Sequence, residues 1–131
     1  MKKDIQIPEV KDIHIAIVKE FNEVFQCEDW NAYLINEKEE DLESVIIVSH
    51  GYNEQQKTSL MRKKIDLLPA RSFAKIELIQ PELLGLNNEF SVTFFEGNRM
   101  MDKTFLVEAN SVNEEQLGMI PVIGKPGVLA N

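Results

Sequence analysis

The sequence has little of what metal and disulfide chemistry requires. Its single cysteine, Cys27, excludes an internal disulfide and a Cys-rich zinc site. No histidine or basic residue lies near Cys27 in the sequence, so we expect a half-buried small apolar residue and not a nucleophile. The two histidines, His14 and His50, lack the close spacing of zinc ligands. We therefore predict no metal and no cofactor.

The sequence also lacks a basic excess and a long apolar run. It carries 22 acidic against 14 basic side chains, a net charge of −8, which disfavours nucleic acid and anionic membranes as partners. Five of the acids fall in residues 37–43, which predicts a solvated turn. The longest apolar run, Val45 to Val48, is too short for a membrane span, and the N-terminus has no apolar leader segment. We expect a cytoplasmic protein.

A hydrophobic period of two runs through most of the sequence. The length of 131 residues fits one domain over 1–131, with a tail segment over 109–131. Alternating or β-branched stretches predict seven strands, over residues 12–20, 29–36, 43–52, 57–68, 71–79, 88–96 and 99–108. Residues 18–25 also fit a helical spacing, which is the one competing helix.

Turn residues separate these strands. Gly97 predicts a two-residue hairpin, and the polar stretch Asn36–Leu42 suggests a second one. Pro81 and Gly85 bracket one helical turn, and we read Gly51 as the residue that lets the third strand turn. These signals predict an all-β fold, an antiparallel immunoglobulin-like or fibronectin-like β-sandwich of about seven strands.

The C-terminal tail has a different character. Residues 111–114 form a capping-box pattern, which predicts a short helix over 112–117. After it the sequence is apolar but broken by prolines and glycines, so an irregular segment follows. This segment either covers an edge of its own sandwich or contacts another chain through Ile120, Val122 and Ile123.

The stretch VIIVSHGYN, residues 45–53, invites comparison with the oxyanion loop of an α/β-hydrolase. No serine of the chain lies in a Gly-x-Ser-x-Gly elbow, and no βαβ unit can be fitted. We therefore predict no catalytic residue and no enzyme activity.

Two sets of residues are candidates for binding. Trp30, Tyr33, His50 and Tyr52 could form an aromatic platform for a small ligand or a carbohydrate, although Trp30 alternates in phase with the core residues of its strand. Arg62, Lys63 and Lys64 form the one basic cluster, which either contacts a partner or guards a strand edge. The leading hypothesis is a non-enzymatic protein-interaction or assembly module, with self-association included, and the alternative is a ligand-binding sandwich.

The stretches WNAYLIN (30–36), VIIVSHGY (45–52), LPARSFAKIELI (68–79) and NEFSVTFF (88–95) resemble a small uncharacterised bacterial family. The resemblance spans nearly the whole chain and implies a compact β domain without a mechanism. Some members carry the label of a phenylalanyl-tRNA synthetase α subunit. This chain is too short for that catalytic domain, and its arginines, Arg62, Arg71 and Arg99, lack partner glycines.

Overall fold

Two antiparallel sheets form the fold in the computed structural model, which describes residues 9–131. Residues 1–8, which enter the prediction about a leader segment, lie outside the described residues. The strands are β1 (Ile13–Asn22), β2 (Cys27–Asn36), β3 (Leu42–Tyr52), β4 (Met61–Leu68), β5 (Ser72–Ile79), β6 (Asn87–Glu96), β7 (Arg99–Val107), β8 (Gly118–Met119) and β9 (Pro126–Leu129). All seven predicted strands are present, and the tail adds β8 and β9.

The strand order is β5-β2-β1-β9-β8 in one sheet, here sheet I, and β4-β3-β6-β7 in the other, sheet II. The alternation of apolar and polar residues along each strand explains how the two sheets pack. Ile13, Ile15 and Ile17 of β1 face the same core as Val45 and Ile47 of β3, and all are almost fully buried. Burial of one such side chain stabilises the fold by roughly 2 kcal/mol.

The connection between β2 and β3 is not the predicted hairpin, because these strands lie in different sheets. Asn36 is fully buried, and its hydrogen bonds stabilise the connection from sheet I to sheet II. Its side-chain amide donates to the carbonyl oxygens of Glu40, Leu68 and Pro69, at 2.9, 3.2 and 3.0 Å, and its oxygen accepts from the Lys38 N–H. A polar loop between two alternating stretches is typical both of a hairpin within one sheet and of a connection between two sheets. The sequence pattern therefore did not distinguish these two kinds of connection.

The other turn predictions had mixed outcomes. Gly97 has φ +64° between β6 and β7, as the predicted hairpin requires, and a 3-10 helix spans Pro81–Gly85. The competing helix over 18–25 is absent, since β1 continues to Asn22 and a turn follows. The predicted helix near residue 112 is one 3-10 turn, Glu114–Gln116, and its N-terminal cap is Asn113, not Ser111.

The tail packs on its own domain. β9 pairs with β1, opposite Ala16 to Val18, and β8 pairs with β9. The last residue, Asn131, exchanges two backbone hydrogen bonds of 2.9 Å with Leu106 of β7. The tail therefore closes the side of the sandwich on which β1 and β7 lie.

Candidate functional site

The opposite side of the sandwich is open. There β4 is the edge strand of sheet II and β5 is the edge strand of sheet I. A cleft lies between them and has a volume of about 250 Å³, with a continuation of about 100 Å³ along Arg62 and Lys63. We name it the β4–β5 cleft. Its lining consists of Ser49, His50, Gly51, Thr58, Ser59, Leu60, Met61, Glu77, Ile79, Leu83 and Asn88.

A β-bulge in β5 shapes the floor of the cleft. Ala32 of β2 pairs with Glu77 while Tyr33 pairs with Lys75, so Ile76 is the extra residue. The resulting shift turns Glu77 toward sheet II, where its carboxylate accepts a hydrogen bond of 2.7 Å from the Ser49 hydroxyl. This contact joins the two sheets below the opening.

Gly51 also belongs to the cleft, which corrects its predicted role as a turn. It lies inside β3, which continues to Tyr52, and neighbouring side chains surround it closely there. A Cβ at position 51 would lie 3.2 Å from Asn88 Oδ1 and 3.3 Å from Leu86 Cδ1. The side-chain amide of Asn88 in turn donates to the carbonyl oxygens of Leu83 and Leu86 and so fixes the 3-10 helix at the end of the cleft.

The polar groups of the cleft have a limited chemical repertoire. Ser49 and His50 are consecutive in β3, so their side chains lie on opposite faces of sheet II. Ser49 contacts Glu77, whereas the His50 ring stacks on Tyr52 with 5.5 Å between centroids. The Thr58 hydroxyl accepts a hydrogen bond from the Gly51 N–H at 2.8 Å and donates one to the Ser59 carbonyl oxygen at 3.1 Å. The side chains of Ser49, Thr58, Glu77 and Asn88 thus already have hydrogen-bond partners within the chain.

The rim of the cleft is apolar and basic. Leu60 is 64% exposed and Met61 is 52% exposed, and Arg62, Lys63 and Lys64 follow along β4. Lys64 lies 3.9 Å from Asp66, and Arg62 and Lys63 have no ion-pair partner within residues 9–131. In a chain of net charge −8, this edge is a local positive surface.

The four residues of the predicted aromatic platform do not come together. Trp30 is half-buried and packs against the main core, as its phase predicted. Tyr33 lies on the outer face of sheet I, edge-on to Phe73 at 5.7 Å between centroids. His50 and Tyr52 lie on the outer face of sheet II. Two sheets separate the members of the set.

The predicted tail residues face their own chain. Ile120 is buried and Ile123 is half-buried, and both pack with Ala16, Val18 and Ile35 on the outer face of sheet I. Val122 is partly exposed and has a left-handed φ of +68°. Two of the three predicted contact residues, Ile120 and Ile123, therefore pack within the domain, whereas Val122 is exposed.

Sequence reasoning missed a polar cluster that holds the tail. The Glu20 carboxylate accepts hydrogen bonds from Asn31 (2.7 Å), the Tyr33 hydroxyl (2.7 Å) and Lys125 (2.6 Å). Burial raises the pKa of Glu20, but the hydrogen bonds from Lys125, Asn31 and Tyr33 outweigh it, so the pKa lies below its ordinary value of 4.5. No sequence signal links Glu20 to Lys125, because they are 105 positions apart.

Sequence reasoning also missed the exposed turn between β1 and β2. Phe21, Val24 and Phe25, whose spacing fits the competing helix, are largely exposed there. Cys27 at the start of β2 is exposed, not half-buried as predicted, because β2 extends beyond the edge of the core at this end.

Two further findings concern membrane-spanning helices and similarity to known proteins. Within residues 9–131, no helix has the length and apolar character needed to cross a membrane. No protein-family model, curated protein or solved structure matches the chain.

Proposed function

We propose that this chain is a non-enzymatic protein-interaction module of the cytoplasm that binds a partner protein at the β4–β5 cleft. The observation that carries the proposal is the asymmetry of the sandwich. The tail covers the side of β1 and β7, whereas the side of β4 and β5 presents two edge strands with a cleft between them. An edge strand exposes unpaired backbone N–H and C=O groups, which natural proteins usually cover.

The rim of the cleft specifies the chemistry of the partner. Leu60 and Met61 offer apolar contact area, while Arg62 and Lys63 carry charges without ion-pair partners in the described part of the chain. Lysines on an edge discourage indiscriminate pairing with other strands, and their charge favours an acidic partner. The partner segment therefore carries apolar side chains flanked by carboxylates, which steer its approach toward the positive rim.

We further infer that the sandwich is of the fibronectin-like kind. In immunoglobulin constant-type domains the fourth strand joins the sheet of the first, second and fifth strands. Here β4 instead pairs with β3, next to β6 and β7. This rests on fold-level analogy and carries no function by itself. Superposition of a crystal structure on domains of the two kinds tests it, and a better match to the constant-type arrangement would contradict it.

A pull-down with matched charge variants tests the interaction proposal. The tagged chain is used to capture proteins from its own cell extract at moderate salt, beside Arg62→Glu/Lys63→Glu and Arg99→Glu/Lys103→Glu. Both double variants make the same change of charge, but the second pair lies on β7 at the closed side. We expect a stoichiometric partner that the first variant loses and the second retains. Equal capture by both variants, or no partner and no self-association, would contradict the proposal.

A further inference from the structure

The turn between β1 and β2 holds an apolar surface in a fixed shape. Phe21, Val24 and Phe25 are 56%, 84% and 76% exposed. The side-chain oxygen of Asn22 accepts hydrogen bonds from the backbone N–H groups of Val24 and Phe25, at 2.9 and 3.2 Å. Because these hydrogen bonds define the shape of the turn within the chain itself, they lower the conformational entropy that docking costs. We name residues 21–28 the hairpin tip.

The hairpin tip and the β4–β5 cleft are complementary in charge. Glu23 and Glu28 flank the apolar side chains of the tip, are exposed, and have no ion-pair partner within residues 9–131. At the cleft, the positive charges of Arg62 and Lys63 directly follow the exposed Leu60 and Met61 in the sequence, so an apolar surface adjoins a charged one of the opposite sign. Opposite charges beside apolar surfaces favour the approach of the two and help to fix their register.

The cleft also has the size that the tip requires. Its volume is about 250 Å³, and a cavity of about 150 Å³ already holds a benzene ring. Phe25 is the most exposed aromatic side chain among the described residues, and its ring has the size of the ligand that such a cavity holds. Leu60 and Met61 of the cleft lining offer it apolar contacts. Buried aromatic anchors of this kind supply most of the affinity in protein interfaces.

The tip and the cleft lie side by side at one end of the sandwich. Ile79 lines the cleft and also a depression beneath Cys27 to Trp30, next to the tip. A two-fold dimer needs one self-complementary patch, in which each copy contributes both halves. We propose that the protein forms such a dimer, in which the hairpin tip of each copy docks in the β4–β5 cleft of the other. This rests on the proposed function of the cleft and names its partner as a second copy of the chain.

Sedimentation equilibrium of the full chain over a range of concentrations tests the proposal. We expect a dimer, and we expect Phe25→Ser in the tip and Met61→Ser at the cleft each to raise its dissociation constant by at least about tenfold. Met100→Ser is the matched control, because Met100 is an exposed methionine of β7, remote from the cleft. It should change the dissociation constant less than about twofold.

A charge exchange tests the pairing itself. Glu23→Lys and Lys63→Glu should each weaken the dimer, because each places like charges together across the interface. The double variant restores opposite charges and should return the dissociation constant to within about threefold of the wild type. All these side chains are exposed, so circular dichroism should show an unchanged fold.

The outcomes separate the dimer from the proposed function. A wild-type chain that is monomeric at all concentrations, or a dimer indifferent to Phe25→Ser and Met61→Ser, overturns the dimer. If a different protein is then captured and lost in Arg62→Glu/Lys63→Glu, the interaction module stands with another partner. If neither a dimer nor such a partner is found, both proposals fail.

Discussion

Gly127 of β9 lies against the backbone of Ile17 in β1 so closely that no side chain fits between them. A Cβ at position 127 would lie 2.6 Å from the Ile17 carbonyl oxygen and 2.9 Å from Ile120 Cγ1. Ordinary contacts between non-bonded carbon atoms are about 3.5–4.0 Å. The tail can therefore seal the edge of β1 only with glycine at this position.

Replacement of this glycine should loosen the tail. We expect Gly127→Ala to lower the free energy of unfolding by about 2 kcal/mol, because the strand backbone of β1 cannot move aside for the methyl group. Urea denaturation measures the loss, and limited proteolysis should show faster cleavage within the tail. Gly118→Ala is the control, since a Cβ there meets nothing within 4 Å. Equal effects of the two substitutions would show that the contact with Ile17 is not tight.

The Glu20 cluster predicts a pH-dependent contribution to stability. The folded pKa of Glu20 is depressed, so its contribution is complete above the ordinary value of 4.5 and is lost as the pH falls through the folded pKa. Glu20→Gln should therefore destabilise the protein by about 1.5 kcal/mol at neutral pH, with the difference from wild type vanishing in acid. Urea denaturation over a pH series measures this. The exposed Glu54→Gln is the control, and an equal acid dependence in all three proteins would refute the role of Glu20.

Tyr33 should titrate at unusually high pH. Burial and the hydrogen bond to the Glu20 carboxylate raise the pKa of Tyr33 to about 12, from an ordinary 10.0. The chain has two tyrosines, so ultraviolet titration of Tyr52→Phe follows Tyr33 alone. The contribution of the neutral Tyr33 side chain to the free energy of unfolding is complete below pH 10.0 and is lost as the pH rises through about 12. Circular dichroism at each pH separates ionisation from unfolding, and a midpoint at 10.0 in the folded chain would contradict the cluster geometry.

The fluorescence of Trp30 tests the packing of the core near the hairpin tip. Because the ring is half-buried and packs against the main core, we expect its emission to be blue-shifted from that of the unfolded chain. Acrylamide should quench it more slowly than in the unfolded chain. The protein in guanidinium chloride is the reference for both measurements. An emission maximum and a quenching rate equal to that reference would show that Trp30 lies outside the core.

The candidate site was only partly accessible to sequence reasoning. The basic cluster at Arg62 to Lys64 was recognised from its composition, and it does lie on an edge strand. The cleft beside it was not predicted, because it depends on the bulge at Ile76 and on the contact between Ser49 and Glu77. Neither the bulge nor this contact produces a recognisable pattern in the neighbouring sequence. The apolar residues of the hairpin tip carried a helical spacing, which the pairing of β1 with β2 overrode.

The sequence alone determined the strands. Alternation with a period of two is a local property that each stretch carries by itself, and Gly97 and Pro81 mark turns through their own backbone preferences. Only the tertiary structure decided which strands share a sheet, how Asn36 carries the chain from one sheet to the other, and where the tail lies. These features depend on contacts between residues far apart in the chain, such as Glu20 with Lys125. They also depend on the close approach of two strands, such as the one that Gly127 allows between β9 and β1. They follow from packing, which no short segment encodes on its own.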